Sequence, residues 1–414
     1  MQSLPSDPAH PLRQSIREVL QVYPETVRAS RPLRLATGGF SGAVVVQLSL
    51  PRPAAEPVAS LGGEPPVASS PLILPAGTPG ELAEPALDTP GPATEPPSGS
   101  LSDSLSAPLT GLMCLRCWPQ GTERRRLDAL HRFVDWLSRC GPFPVAVPVR
   151  NLQGQTVTPH AGRLWHLEPW LPGTADFHEQ PEPERLQHLM RLLARVHETA
   201  ARYEAPSADS QWFSRAVVQP SPAVQTRRKL LECWIQQKQD EAAARIRREV
   251  GRDSSPEQTR LAEDAARKVA RLAVPVLTEL KQAESLPVRV SPVLRDIWHD
   301  HVLWNGREVS GLIDLSAAGT ESAAADLSRL LGSLAEDDRS LWQLALEEYR
   351  LHRRMTPEEE TLVPILDRSG VLLSAAGWID RHYLQNRGSL SLPGALSRLA
   401  GLTVRLDRML SGRV

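Results

Sequence analysis

A short stretch near residue 300 constrains this chain more than any other part of its sequence. Two apolar runs, 302–304 and 309–313, are separated by Asn305-Gly306, a dipeptide typical of tight hairpin turns. A hairpin here places Asp296 before its first strand and Asp314 at the end of its second. Both carboxylates can therefore face one cleft. Such a pair suits phosphoryl transfer, in which one acid orients a hydroxyl group and the other holds a metal.

The same stretch resembles the catalytic and metal-binding segment of the aminoglycoside phosphotransferase and choline kinase-like family, which has a protein-kinase-like fold. That family's pattern is His-Gly-Asp, four residues, Asn, then a strand, a turn and Ile-Asp. By this resemblance Asp296 is the catalytic acid, His301 stands at the metal-binding Asn, and Asp314 is the metal-binding Asp. A rival alignment to the family pattern makes Asp300 the catalytic acid and Asn305 the metal-binding Asn. We reject it, because too few residues then separate Asn305 from Asp314.

Two residues depart from the family pattern. Leu294 replaces a His that supports the loop in the family, and His301 replaces the Asn. The second change bears on the metal, because Mg²⁺ prefers oxygen ligands whereas imidazole suits softer ions. The resemblance therefore leaves open a catalytically inactive relative that binds a nucleotide or a partner.

One segment differs in composition from the rest of the chain. Residues 52–108 are rich in proline, contain no aromatic residue and carry no basic residue after Arg52. Such a segment cannot bury enough apolar surface to offset its ordering entropy. We therefore predict a disordered insertion at 52–108, between two strands.

The strands on either side of this insertion carry candidates for nucleotide binding. Gly38, Gly39, Ser41 and Gly42 lie in a turn where backbone N–H groups can approach phosphate oxygens closely. Their spacing resembles the family's nucleotide-covering loop, although a plain hairpin turn is the alternative. Arg116, on the strand after the insertion, corresponds by resemblance to the family's phosphate-binding Lys or Arg.

The helix predicted at 123–138 has the apolar periodicity of an amphipathic helix. The corresponding family helix supplies an acid to the strand cation, and Glu123, Asp128 and Asp135 all remain candidates for it.

Three further strands are predicted before the chain becomes helical, at 145–150, 156–157 and 164–170. The segment around Glu168 and Trp170 resembles the hinge between the lobes, whose backbone contacts adenine. By this resemblance both residues belong to the nucleotide site.

The second half of the chain is dominated by helical periodicity. Helices are predicted at 183–203, 225–250, 256–283, 340–350, 357–381 and 393–409. We interpret His197 as a packed histidine and Asp326 as an anchor of the catalytic loop. The predicted fold is α+β and two-lobed: an antiparallel-sheet lobe at 1–170, and a mostly helical lobe at 171–414 that carries the catalytic hairpin at 294–315.

Composition excludes several other classes of protein. The net charge of -1 and pI of about 6.9 do not favour nucleic acid, and no apolar run approaches the roughly 20 residues of a membrane span. The four cysteines are too few for a disulfide scaffold, so we expect a cytoplasmic protein. Cys114 and Cys117 fall on opposite faces of a strand, which does not suit a zinc or redox site.

The sequence thus predicts ATP-dependent phosphorylation of a hydroxyl group on a small molecule, with Mg²⁺ or Mn²⁺ as the metal. The inactive relative is the first alternative. A metal-dependent hydrolase is the second, because His299, Asp300 and His301 are residue types that ligate transition metals.

Overall fold

The computed structural model of this protein describes residues 10–37, 43–51, 111–249, 255–385 and 394–412. The predicted nucleotide loop with Gly38, Gly39, Ser41 and Gly42 lies outside the described residues, and so does the predicted insertion at 52–108.

The described strands, in chain order, are β1 (Arg31–Thr37), β2 (Val44–Ser49), β3 (Leu112–Cys117), β4 (Thr158–His160), β5 (Arg163–Pro169), β6 (Val217–Pro220), β7 (Pro287–Val293), β8 (Val302–Asn305), β9 (Glu308–Leu312) and β10 (Gly319–Ser322). The described helices are α1 (Pro11–Leu20), α2 (Glu25–Arg28), α3 (Arg124–Cys140), α4 (Pro183–Ala200), α5 (Pro222–Cys233), α6 (Gln239–Glu249), α7 (Pro256–Ala283), α8 (Ala323–Leu334), α9 (Arg339–His352), α10 (Pro357–Ile379) and α11 (Ala395–Leu410).

The first lobe is a sheet packed against a helix. Among the described residues, the sheet has the order β1-β2-β3-β5-β4, and each neighbouring pair is antiparallel. Side chains of a strand alternate between its two faces. Met113 and Leu115 of β3 are therefore buried in one core with Ile16 and Val19 of α1, while Arg116 points from the opposite face toward the second lobe.

The segment 145–150 is not a strand, contrary to the prediction. Within the described structure, Val145 forms an isolated bridge to Leu312, and the next residues have no regular structure. Pro144 and Pro148 lack a backbone N–H, so this segment cannot sustain a continuous ladder of hydrogen bonds. The Leu312 backbone N–H instead donates to the Pro144 carbonyl at 2.7 Å, which ties the segment to the hairpin. The strand predicted at 156–157 begins later, as β4.

The second lobe is built from packed helices. α10 packs against α7 and α8, α11 packs against α7, and α4 packs against α9. The single helix predicted at 225–250 is divided into α5 and α6 by a five-residue π-helical turn, Trp234–Lys238. The segment Pro357–Leu384 is long and apolar enough to cross a membrane by length and composition alone. However, 67% of its most apolar stretch is buried inside the protein, which is the pattern of a core helix.

The predicted hairpin forms between the two lobes, as β8 and β9. Asn305 pairs with Glu308, and Gly306 in the turn between them has a φ of +59°. Backbone hydrogen bonds of 2.8 and 3.1 Å between Trp304 and Thr174 hold the hairpin to the segment that joins the lobes. The loop before β8 carries Asp296, and the loop after β9 carries Asp314, so the hairpin brings these loops to one end.

Candidate active site

The loop that carries Asp296 is anchored by a buried carboxylate on α8. Asp326 accepts hydrogen bonds from the backbone N–H groups of Leu294 at 2.8 Å and Arg295 at 2.6 Å. His197 of α4 contacts the same carboxylate through Nε2 at 3.0 Å, and its Nδ1 lies 2.6 Å from the hydroxyl of Tyr349. Both Asp326 and His197 are buried. This geometry agrees with their interpretation as a loop anchor and a packed histidine.

Replacing Asp326 with Ala should therefore destabilise the protein. The change removes the acceptor of two backbone N–H groups and leaves the buried His197 without its carboxylate. Buried donors left unpaired cost about 1–3 kcal/mol each, so we expect the free energy of unfolding to fall by about 3 kcal/mol in chemical denaturation. The matched control Asp300→Ala, on an exposed carboxylate of the same loop, should cost at most about 1 kcal/mol. Equal stability of the two variants would contradict the anchor.

Asp296 projects from this loop toward solvent. Arg295, the residue before it, has a left-handed backbone with φ of 68°, which is uncommon for a residue with a Cβ. The Asp296 side chain is 51% exposed, and its Oδ1 accepts a hydrogen bond from Arg329 Nε at 3.1 Å. Within the described structure its Oδ2 carries no hydrogen bond, so it can accept one from a substrate hydroxyl.

His301 connects the two acidic loops. Its Nδ1 donates to the backbone carbonyl of Asp296 at 2.8 Å, and its Nε2 accepts from Trp298 Nε1 at 2.9 Å. These partners assign a neutral imidazole, because a carbonyl can only accept a hydrogen bond and an indole N–H can only donate one. The Nε2 also lies 3.9 Å from Asp314 Oδ2. In this arrangement the Nε2 lone pair is occupied, so ligation of a metal requires Trp298 to release it.

Asp314 and Arg116 form an ion pair between the lobes. Arg116 Nη1 lies 2.7 Å from Asp314 Oδ1, and the two side chains are 11% and 33% exposed. Burial by itself raises the pKa of Asp314, but the Arg116 guanidinium, together with the neighbouring His301 and Ser316, outweighs burial and lowers that pKa below its usual value. The carboxylate predicted to hold a metal is therefore ionised, and it lies against the cation predicted to hold phosphate.

The second carboxylate beside Arg116 is Glu168 of β5. Burial alone would lower the pKa of Arg116, but Glu168 and Asp314 together raise it above its usual value. Burial alone would raise the pKa of Glu168. The neighbouring His166 and Arg116 act against burial, and the pKa of Glu168 lies below its usual value. His166 Nε2 lies 3.3 Å from the Glu168 carboxylate. The buried Glu168 carboxylate and the buried Arg116 guanidinium therefore stabilise each other in their charged forms.

This interaction concerns the side chain of Glu168, which acts on the charge of Arg116. The role predicted for Glu168 at the hinge rests on backbone contacts to a base, and the side-chain interaction does not test it. Trp170 does lie at the junction of the lobes, where its backbone N–H donates to the Leu112 carbonyl at 3.1 Å. The hinge assignment therefore remains a prediction for both Glu168 and Trp170.

The acids of α3 do not reach Arg116. Asp128 and Asp135 pair with arginines one helical turn away, at 3.6 and 2.9 Å, and Glu123 is the residue that precedes the helix. The sequence left three candidates for the acid that pairs with Arg116, and none of the three is its partner. In the described residues, the carboxylates nearest to Arg116 come from β5 and from the loop after β9.

α3 instead presents a histidine to the site. His131 and His166 line a cavity of about 40 Å³ together with Arg116, Glu168 and Asp314, enough space for a few water molecules. The two imidazole rings meet edge to face at 4.8 Å. Burial, followed by the neighbouring His166 and Arg116, holds the pKa of His131 well below its usual value. Sequence reasoning missed His131, although a polar residue within the apolar face of α3 is a detectable signal.

His299, Asp300 and His301 do not converge on one point. His299 Nε2 lies 3.3 Å from Asp300 Oδ1, and Asp300 Oδ2 lies 3.2 Å from Arg398. Among the residues that the structure describes, no group of three or more His, Cys, Asp or Glu side chains is arranged to hold a metal ion. The arrangement gives the hydrolase alternative no support.

Comparison with known proteins places this architecture in a family. A model of the phosphotransferase enzyme family matches residues 109–360, whereas no curated protein matches the chain. Spectinomycin phosphotransferase, solved with ADP and spectinomycin, has a TM-score of 0.54 at 12% identity, covering 73% of this chain and 87% of its own. A microcompartment-associated aminopropanol kinase has a TM-score of 0.52 at 14% identity, covering 96% and 97%. Plasmodium vivax ethanolamine kinase has a TM-score of 0.52 at 9% identity, covering 98% and 91%.

At these identities the solved structures establish the fold alone, and they confirm the predicted α+β, two-lobed kinase-like architecture. The family model extends over more than half of the 414 residues and contains the loop of Asp296, the hairpin and Asp314. The resemblance found in the sequence is confirmed. The chain belongs to the phosphotransferase enzyme family.

Proposed function

We propose that the protein transfers the γ-phosphoryl group of ATP to a hydroxyl group of a small molecule. The observation that supports this most is the position of His301 between the two acidic loops. It bonds to the Asp296 backbone at 2.8 Å and lies 3.9 Å from Asp314. An exposed carboxylate and a carboxylate paired with a buried cation thus lie on two loops that His301 connects, and the second of them lines the cleft between the lobes.

The residues at this cleft fit a nucleotide phosphate and a divalent metal. Arg116 is a buried cation whose Nε has no hydrogen-bond partner among the described residues. The ionised Asp314 offers the oxygen ligand that Mg²⁺ prefers. Asp314 would hold the metal and Arg116 the phosphates, with ATP supplying the phosphoryl group and the metal neutralising its charge. Spectinomycin phosphotransferase was solved with ADP, which agrees with nucleotide binding by a protein of this fold.

The same proposal includes the roles that the sequence predicts for the glycine loop, for Trp170 and for the two lobes. The glycine loop with Gly38, Gly39, Ser41 and Gly42 would cover the phosphates, and Trp170 would lie near the base at the hinge. We propose that 1–170 and 171–414 act as the nucleotide lobe and the acceptor lobe.

Asp296 is proposed to orient the acceptor hydroxyl and to accept its proton. The hydroxyl oxygen forms a bond to the γ-phosphorus. The bond between that phosphorus and the bridging β–γ oxygen breaks, and its electron pair leaves with ADP. Arg329 holds Asp296 through Oδ1 at 3.1 Å, so the carboxylate is oriented before the acceptor arrives.

An inactive relative that binds a nucleotide is the second candidate, and one observation favours it. The His301 lone pair is occupied by Trp298 at 2.9 Å, which leaves Asp314 as the single predicted metal ligand that is ready to bind. Such a protein would bind ATP without consuming it.

An ATP-consumption screen separates the two candidates. Purified protein is incubated with ATP and either Mg²⁺ or Mn²⁺, against amino alcohols, polyols, sugars and hydroxy acids. Amino alcohols are one arm because two similar structures are named for ethanolamine and aminopropanol. We expect ATP consumption to rise with one acceptor class and mass spectrometry to find the phosphorylated acceptor and ADP. Binding of ATP without product from any class would favour the inactive relative.

The metal role of His301 is tested by two substitutions. His301→Asn provides an oxygen ligand and should shift the preference of nucleotide binding toward Mg²⁺ over Mn²⁺, on the order of tenfold. Trp298→Phe frees the Nε2 lone pair and should shift the preference in the opposite direction, toward Mn²⁺. Both are measured by calorimetric titration of the nucleotide with each metal. His299→Asn serves as the control, and an unchanged metal preference in both variants would remove His301 from the metal site.

A further inference from the structure

Two arginines are held at one indole ring beside the proposed catalytic acid. The guanidinium carbon of Arg329 lies 5.4 Å from the centre of the Trp298 ring, and that of Arg398 lies 4.6 Å from it. The Trp298 N–H donates to His301, which fixes the orientation of the ring. Stacking on a fixed aromatic ring restrains an arginine in one position. Both cations are therefore organised around Trp298, and one of them, Arg329, also contacts Asp296.

These arginines have more hydrogen-bond donors than they use. Arg329 bonds Asp296 through Nε alone, and Arg398 bonds Asp300 through Nη2 alone. In the described part of the chain, their remaining N–H groups have no partner. The two side chains are 40% and 50% exposed, so these donors can reach a bound molecule. An arginine offers five N–H donors in a planar arrangement that matches two oxygens of a carboxylate or a phosphate.

The polar groups at this ring favour an anionic acceptor. Arg329 and Arg398 contribute two cations, and each uses one N–H donor on a carboxylate, that of Asp296 or that of Asp300. The guanidinium of Arg295 lies elsewhere, beside Gly319 of β10. The two cations and the two carboxylates balance, so the preference comes from the unused N–H groups. A positively charged amino group cannot accept hydrogen bonds from them, whereas an acceptor with its own anion can.

We propose that the acceptor carries an anionic oxygen group, a carboxylate or a phosphate ester, beside the hydroxyl that is phosphorylated. Arg398 and the free Nη groups of Arg329 bind the anion, while Asp296 holds the hydroxyl. This inference rests on the proposed phosphoryl transfer, and it names the substrate class of the same site. Arg398 is then the residue that determines specificity for charge.

The test uses four probes that share a three-carbon framework and differ in charge. Glycerate and glycerol 3-phosphate are anionic, glycerol is neutral, and 3-amino-1,2-propanediol is cationic. Binding to the ATP-loaded protein is measured by ligand-observed NMR, and phosphorylation of each probe is measured separately. We expect one of the anionic probes to bind at least about tenfold more tightly than glycerol, and the cationic probe to bind most weakly. The two anionic probes distinguish a hydroxy acid from a phosphorylated polyol.

Arg398→Gln should remove this preference, weakening the anionic probe about tenfold and leaving glycerol unchanged, and Arg398→Lys should restore part of it. Arg307→Gln is the control, because it removes an exposed arginine of the hairpin turn and changes the net charge equally. The proposal is overturned if the cationic or neutral probe binds as tightly as both anions, if neither anion binds, or if Arg398→Gln has no effect. Binding that depends on Arg398 without any phosphorylated product would uphold the site and contradict the proposed transfer instead.

Discussion

Replacing Asp296 with Asn is expected to lower kcat on the order of 10³-fold and to leave nucleotide affinity unchanged. The amide has nearly the same size as the carboxylate, but it cannot accept the proton of the acceptor hydroxyl. Asp296 is 51% exposed, and its ion pair with Arg329 is of the surface kind that contributes little to stability. The loss should therefore appear in turnover, measured with the acceptor found by the screen, and not in the unfolding temperature.

Asp300→Asn is the matched control, since it alters a half-exposed carboxylate in the same loop. It also tests the register of the catalytic motif, because the rejected register assigns the catalytic role to Asp300. A large loss of turnover in Asp300→Asn with little loss in Asp296→Asn would show that the wrong register was chosen.

The hairpin and its two acids could be predicted because the necessary information is local. Asn305-Gly306 between two apolar runs fixes the turn, and the turn fixes which loop each acid occupies. The same holds for α7, whose predicted bounds match the observed Pro256–Ala283. Its start is set by Ser255, which accepts a hydrogen bond from the backbone N–H of Glu257.

The partners of Arg116 could not be predicted in this way. Asp314 lies 198 positions later in the chain, and only the approach of the two lobes brings them together. The family pattern pointed to an acid on α3, but the strand register places His166 opposite Arg116 and Glu168 opposite Cys114. Glu168 therefore lies two residue pairs from Arg116 on the neighbouring strand, and the even spacing puts both side chains on one face of the sheet.

The hydrogen-bond partners of His301 could not be predicted from the sequence either. Its role depends on whether a lone pair is free, and that depends on the orientation of the Trp298 ring at 2.9 Å. Spacing in the motif identifies the position of a residue but not its hydrogen-bond partners. A residue type that departs from a family pattern is therefore best interpreted after its neighbours are known.

Arg116→Met is expected to weaken nucleotide binding by about 10- to 100-fold, because it removes a charge-assisted contact to phosphate. It should also lower the free energy of unfolding by about 2–3 kcal/mol, since Glu168 and Asp314 are left without their shared cation. Nucleotide affinity is measured by calorimetry and stability by chemical denaturation. Arg124→Met is the control, because Arg124 forms an exposed pair at 3.6 Å on the neighbouring helix.

The two effects are separable in a double variant. Adding Glu168→Gln to Arg116→Met removes one uncompensated carboxylate, so part of the lost stability should return, whereas nucleotide affinity should stay low. In the parent background, Glu168→Gln alone should be tolerated better, because Arg116 keeps its 2.7 Å contact with Asp314. If Arg116→Met binds ATP as tightly as the parent, Arg116 does not hold phosphate. If adding Glu168→Gln to Arg116→Met restores no stability, the charge of Glu168 is balanced by His166 and not by Arg116.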